Sequence, residues 1–239
     1  MSKNHLKTLA VLGYHKIGPA PTGVPPTWFY ISEGTFTNHL TFLEAEQWTV
    51  IDLETFLRGL EEPETWPDRA VLLTFDDGCQ SMAGGALDCL RRFGFPAVVF
   101  IPADYIGKTN LFDAGVEPEE AICNWDDLKK LEAAGISIQS HSASHRKFST
   151  LSLAELEQEL TGSKATLEDG LGTSVSAIAF PFGDSGSNPV ETDALLIKAG
   201  YRAAFLYGGG PVEPGKLHRY RIPRLAMGPD SDLRATLAK

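Results

Sequence analysis

Seven short apolar runs recur along the 239-residue chain, and most are separated by segments with helical periodicity. They occupy residues 9–14 (LAVLGY), 48–53 (WTVIDL), 70–75 (AVLLTF), 97–102 (AVVFIP), 136–140 (ISIQS), 176–180 (SAIAF) and 201–206 (YRAAFL). Each is apolar throughout instead of alternating with polar residues. Strands of that kind are buried on both faces, which points to an α/β chain with a parallel sheet. The intervening segments carry legible helix ends. Residues 36–47 put Phe36, Leu40 and Leu43 on one face. GALDCLRRFG closes at Gly94 and WDDLKKLEAAG at Gly135. Ser152 with Glu155 makes a capping box, and Asn188 before Pro189 opens a helix that closes at Gly200. An open doubly wound sheet and a closed barrel both satisfy this pattern, and in both, active residues gather where strands end. With 43% hydrophobic residues, the chain has enough apolar material for one core, so residues 1–239 are expected to form a single domain.

The third run breaks off in a way that calls for chemistry. VLLTFDDG ends a buried strand with two adjacent carboxylates, Asp76 and Asp77, before Gly78. Two such charges need water or a cation between them, because an unpaired buried ion is costly. A solvated turn is the plain alternative. The strand ISIQS runs into SHSASH, placing His141 and His145 four residues apart. Two imidazoles and one carboxylate provide three protein ligands and leave a position open for water, the composition of a catalytic zinc site. One aspartate then binds the cation while the other serves as a base. Residue 142 is Ser, so the Glu of an HExxH protease is absent.

Charge and cysteine content narrow the partners. A net charge of −10 offers no basic surface for nucleic acid or anionic lipid, and a neutral or weakly charged substrate fits better. Cys79, Cys89 and Cys123 form an odd set without CxxC spacing and are expected to be reduced and structural. No run reaches membrane-spanning length, and LAVLG is too short for a signal-peptide core. A cytoplasmic location is expected if Met1 is the native start. Oligomeric state leaves no trace in the sequence.

TFDDG at 74–78, SHSASH at 140–145 and FPFG at 180–183 resemble, in order and spacing, the successive motifs of the polysaccharide deacetylase family, carbohydrate esterase family 4. The resemblance spans nearly the whole chain. It implies a distorted (β/α) barrel of about seven parallel strands that removes N-acetyl groups from amino-sugar polymers with one divalent metal. Zinc is the first expectation, with cobalt, nickel or iron also compatible with His₂Asp ligation. Carried over to this chain, Asp76 is the catalytic base, and Asp77, His141 and His145 are the metal ligands. Pro181, Phe182 and Gly183 form one wall of the groove, with the Phe182 N–H near the oxyanion.

Two family features are missing. No arginine precedes the Pro-aromatic-Gly turn, where the chain reads AFPFG, and RYRIPRLAMG replaces the C-terminal Leu-x-His motif. The stretch VLGYHKIG resembles the YHxI segment of a circularly permuted branch that includes enzymes acting on poly-N-acetylglucosamine in exopolysaccharide synthesis. There the acid histidine comes from the N-terminal strand, which makes His15 the expected general acid. Arg224 is the expected neighbour of Asp76 that keeps it ionised, with Arg221 as the fallback. Tyr14, Trp28 and Trp125 are candidates for stacking on sugar, and His5, His39 and His218 have no assigned role. The acidic stretch EEPETWPD at 61–68 reads as a solvated loop. The competing functions are a metal phosphoesterase, a carboxylate-pair glycosidase, a deformylase of a sugar derivative, and a sugar-binding module that kept the fold without catalysis.

Overall fold

The computed structural model describes residues 7–211 and 215–237; His5 lies outside them. The chain forms β1 (Thr8–Tyr14), β2 (Lys16–Ile17), β3 (Tyr30–Ile31), α1 (Glu33–Ala45), β4 (Thr49–Val50), α2 (Leu53–Glu61) and β5 (Arg69–Phe75). It continues through α3 (Gly85–Phe93), β6 (Ala97–Ile101), α4 (Trp125–Ala133), β7 (Ile136–Ser140), α5 (Leu153–Leu171) and β8 (Ala177–Ala179). It ends with α6 (Pro189–Ala199), β9 (Ala203–Phe205), β10 (Leu225–Ala226) and α7 (Leu233–Leu237).

Seven strands in the order β10-β1-β5-β6-β7-β8-β9 pair in parallel, with β4 joined to β5. The sheet curls so that its two edges meet through one segment. Ile222 exchanges backbone hydrogen bonds with β9 (Leu206 N to Ile222 O, 2.8 Å; Ile222 N to Ala204 O, 3.0 Å), while Leu225 and Ala226 pair with β1. The result is a distorted (β/α) barrel.

Period-two alternation divides the strand side chains between two cores. Leu9 and Val11 of β1, Ala70 and Leu72 of β5, Val98 and Phe100 of β6 and Phe205 of β9 share the inner core with Phe56, Leu57 and Trp66. Their partners on the outer face, among them Val71, Leu73, Phe75, Val99 and Ile101, pack against the helices. Phe36, Leu40 and Leu43 are the buried face of α1. The Ser152–Glu155 capping box opens α5, and Asn188 and Pro189 open α6.

Two expectations fail in the same region. WTVIDL is not a full strand: only Thr49 and Val50 pair with β5, and Ile51 N bonds to Val71 O. Asp52 then accepts a hydrogen bond from Thr55 N at 2.8 Å and starts α2, because a side-chain N-cap outweighs the β-propensity of the run before it. EEPETWPD is not wholly solvated either. Its acidic residues are mostly exposed, but Trp66 is buried against Phe56, with ring centroids 5.9 Å apart. All three cysteines are buried and free. Among the described residues no helix is long and apolar enough to cross a membrane.

Candidate active site

The ends of β1, β5, β7 and β8 and the start of β10 deliver the polar residues to one rim. Parallel register sets this arrangement: Tyr14 is opposite Phe75 and Ile101 is opposite Ser140, so His15, the aspartates and His141 emerge side by side. Together with Phe29, Phe182 and Tyr207 they line a cavity of about 240 Å³.

Asp76 and Asp77 are both buried yet have different partners. The alternation that points Leu72 and Thr74 inward continues to Asp76, where Arg224 is waiting. Its Nη1 donates to Asp76 Oδ1 at 2.7 Å and its Nη2 to Oδ2 at 2.6 Å. The same guanidinium donates from Nε to Leu206 O (2.6 Å) and from Nη1 to Thr74 Oγ1 (3.1 Å), which fixes its plane. Burial pushes the Asp76 carboxyl up, but the Arg224 charge and hydrogen bonds, together with the His141 and His15 imidazoles, outweigh it and hold the group below the usual carboxylate range. His15 Nε2 lies 4.0 Å from Asp76 Oδ2. Its ring packs on Phe29 (4.5 Å) and edge-on to Tyr207 (5.2 Å). Burial lowers the His15 imidazole below its ordinary value against the upward pull of Asp77 and Asp76.

Asp77 faces the histidines. Its Oδ1 is 3.5 Å from His141 Nε2 and 3.3 Å from His145 Nε2, and the three donor atoms lie within 4.8 Å of one another. A tetrahedral zinc bound at 2.0–2.2 Å requires donors about 3.3–3.6 Å apart, so both Asp77 spacings suit a shared ion. His141 Nδ1 donates to Ala179 O at 2.8 Å, leaving the Nε2 lone pair aimed at Asp77. Burial lowers the His141 imidazole to about 4, which keeps it in the neutral form a metal ligand needs. Asp77 is held below its usual value, since the His145 hydrogen bond and the neighbouring imidazoles outweigh its burial. Two imidazoles and a carboxylate are donors of the right chemistry for one divalent cation.

The backbone around these groups is held in unusual conformations. Of the five non-glycine residues with positive φ among those described, Asp77 (66°), Ser142 (65°), His145 (59°) and Phe182 (58°) belong to this rim. Each such residue costs on the order of 1–3 kcal/mol and persists only when its surroundings over-determine it. Gly78 shows how tight the turn is: a Cβ there would sit 2.0 Å from Ile101 Cδ1.

The structure sorts the other sequence candidates. Phe182 is half exposed and Gly183 adjoins it on the cavity wall, while Pro181 is buried. Tyr14 is no sugar platform. It is fully buried between Phe36 and Phe75, with its hydroxyl 3.2 Å from His39 Nδ1. Trp125 begins α4 and packs over Gly170 of α5, away from the cavity. Both follow from apolar packing outcompeting exposure. Trp28 is 41% exposed, edge-on to Phe29, and donates from Nε1 to Asp230 Oδ1 at 3.1 Å. Arg221 pairs with Asp193 at 2.7 Å instead of Asp76.

Several residues at or beside the cavity gave no sequence signal. Phe112 covers the His145 ring at 4.2 Å. Asp113 beside it is pushed up to about 6, by burial first and then by the Asp77 charge. Lys16 is buried in an ion pair with Glu117 (2.8 Å) and Glu120 (3.5 Å), which ties the 107–120 segment to β2. Only the adjacency of Lys16 to His15 hinted at this wall; the others sit in an unremarkable loop sequence.

A (β/α) barrel with a carboxylate–arginine pair and a buried Asp-His-His donor set at its strand ends defines the class. The chain belongs to the polysaccharide deacetylase family, whose model matches residues 64–204, more than half of its length. A poly-beta-1,6-N-acetyl-D-glucosamine N-deacetylase of Staphylococcus epidermidis is 21% identical over 209 residues, covering 85% of this chain and 70% of that protein. Among solved structures, the Streptococcus pyogenes deacetylase PplD in complex with acetate superposes with TM-score 0.82 at 20% identity, covering 97% of both chains. IcaB from Ammonifex degensii superposes with TM-score 0.79 at 23% identity, covering 94% of both.

Proposed function

We propose that this protein is a metal-dependent N-deacetylase of an N-acetylated amino-sugar polymer or oligosaccharide. The observation that carries the reading is the division of labour between adjacent aspartates: Arg224 holds Asp76, while Asp77 shares a donor set with His141 and His145. A divalent cation bound by Asp77, His141 and His145 supplies Lewis acidity, polarising the acetamide carbonyl and bringing the pKa of water toward neutrality.

The chain's own residues perform the proton transfers. Asp76, kept ionised by Arg224, takes the proton from the attacking water. The Phe182 N–H assists the developing oxyanion from the cavity wall. His15, across the cavity from the donor set, gives a proton to the departing amine, which leaves poorly without one. Acetate and a free amino sugar result. Phe29, Phe182 and Tyr207 provide apolar surface for the acetyl group and the sugar ring, and the net charge of −10 suits a neutral polymer better than an anionic one. The name of the staphylococcal relative supports a β-1,6-linked N-acetylglucosamine polymer as the first substrate to test.

The test is acetate release from N-acetylglucosamine oligomers by the purified protein, with and without chelator. Release that stops with chelator and returns with zinc supports the proposal. A protein that binds the oligomers and never releases acetate, whatever metal is supplied, is a binding module instead.

A further inference from the structure

Glu159 is a carboxylate that the chemistry above does not use, and it is buried. It lies on α5, in the second turn from the Ser152 cap. Its Oε2 accepts hydrogen bonds from Ala143 N (2.9 Å) and Ser144 N (2.8 Å), and its Oε1 accepts one from Ser144 Oγ. Ala143 and Ser144 are two of the three residues between His141 and His145.

The whole turn is held by side chains. Ser142 N donates to Ser140 Oγ at 3.1 Å, and His145 N donates to Ser142 Oγ at 3.0 Å. Four successive backbone N–H groups, from residue 142 to residue 145, therefore end on side-chain oxygens, two of them on Glu159. On the other side, the carbonyls of Ser142 and Ala143 accept from Ala103 N (3.1 Å) and Asp104 N (3.0 Å). Ser142 and His145 keep their positive φ values only inside this frame. A buried carboxylate with good acceptor geometry toward consecutive N–H groups makes strong, charge-assisted bonds.

We infer that Glu159 is a positioning residue for the metal centre: through the Ala143 and Ser144 amides it sets the conformation that brings His145 Nε2 to the same point as His141 Nε2. This rests on the metal reading of Asp77, His141 and His145. His145 has no hydrogen bond from Nδ1 among the described residues, so its ring lacks the anchor that Ala179 O gives His141. Its placement depends on the backbone beneath it and on the flanking Phe112 and Phe182 rings. Glu159 is thus the polar support for the less tethered of the two histidines.

The test measures metal affinity of the full chain directly, using cobalt(II) titrated into metal-free protein and its visible absorption spectrum. Removing an outer support of this kind costs about 10–100-fold in metal affinity. Glu159→Ala is expected to weaken cobalt by that factor and to change the band shape, at a temperature where the metal-free variant is fully folded. Glu159→Gln is expected to recover most of the loss. Its single carbonyl oxygen can take the Oε2 position and accept both amides, and its NH₂ can donate to Ser144 Oγ. Should Glu159→Ala not fold, Glu159→Asp, one methylene too short to reach both amides, takes its place with the same expected loss. A variant that melts earlier yet binds cobalt with the wild-type affinity and spectrum overturns the inference and leaves the metal reading intact. Wild-type protein that binds no cobalt overturns the metal reading itself, and the role of Glu159 with it.

Discussion

Arg224 and Asp76, 148 residues apart in sequence, meet in a two-pronged ion pair with both contacts at 2.6–2.7 Å. Among the described residues Arg224 is the largest fully buried side chain, so it cannot turn to solvent if Asp76 is lost. In the proposed mechanism the pair sets Asp76 apart as the base from Asp77 as a ligand.

Replacing Arg224 leaves the burial of Asp76, the largest influence on it and one that raises a carboxyl, opposed only by the His141 and His15 imidazoles. Arg224→Met is therefore expected to protonate the base at neutral pH and to lower kcat/KM by about 10²–10⁴-fold, the usual span for losing a general base. The acid limb of the pH–rate profile moves to higher pH, so alkaline conditions recover part of the rate. Breaking a buried pair also destabilises the fold by about 3–5 kcal/mol. The sign of the linkage follows from the lowered Asp76 value. The wild-type advantage is present above the ordinary aspartate range and disappears as pH falls through the folded value. Rate profiles and denaturant melts of the two proteins check both statements, and an unmoved acid limb would remove Arg224 from this role.

Metal removal and ligand mutation should agree. Dialysis against chelator is expected to abolish acetate release, with zinc restoring it. His141→Ala and Asp77→Asn are each expected to lose bound metal and activity together. Metal analysis beside the rate assay decides the matter, and full activity in metal-free His141→Ala protein sinks the donor set.

His15 stands apart from that set, so its loss should separate chemistry from metal binding. His15→Ala is expected to lower kcat by about 10²–10⁴-fold while metal content stays at the wild-type level. With His15 in the proposed role of acid and its pKa lowered by burial, the wild-type rate is expected to fall as pH rises through that lowered value. The variant should lose this dependence. Retention of the same alkaline limb would point to another acid.

Gly183 has φ 68°, and a Cβ there would lie 2.9 Å from Tyr207 N and 3.1 Å from Tyr207 Cβ. Gly183→Ala must push back the segment whose tyrosine ring stands edge-on to His15. We expect a loss of more than about 1 kcal/mol in stability and a fall in kcat that exceeds any change in KM. Thermal melts and Michaelis analysis test it. Wild-type kcat would show that Tyr207 does not position the acid.

How much of this was legible beforehand follows from how far each signal reaches along the chain. The apolar runs, the caps at Ser152 and Asn188, and the pairs Asp76–Asp77 and His141–His145 are local patterns, enforced by strand and helix periodicity within a few residues. The sequence also named Arg224, but only by resemblance to a family whose usual arginine it lacks. Tyr14 and Trp125 were misplaced because an aromatic residue carries no local mark that separates a core from a groove. Whether Tyr14 faces Phe36 and Phe75 depends on elements that approach only when the sheet closes. The same holds for the Phe112 cover on His145, the Lys16–Glu117 tie and the Glu159 clamp. Their partners are brought together by the curl of the barrel, and long-range geometry of that kind exists only once the whole sheet has formed.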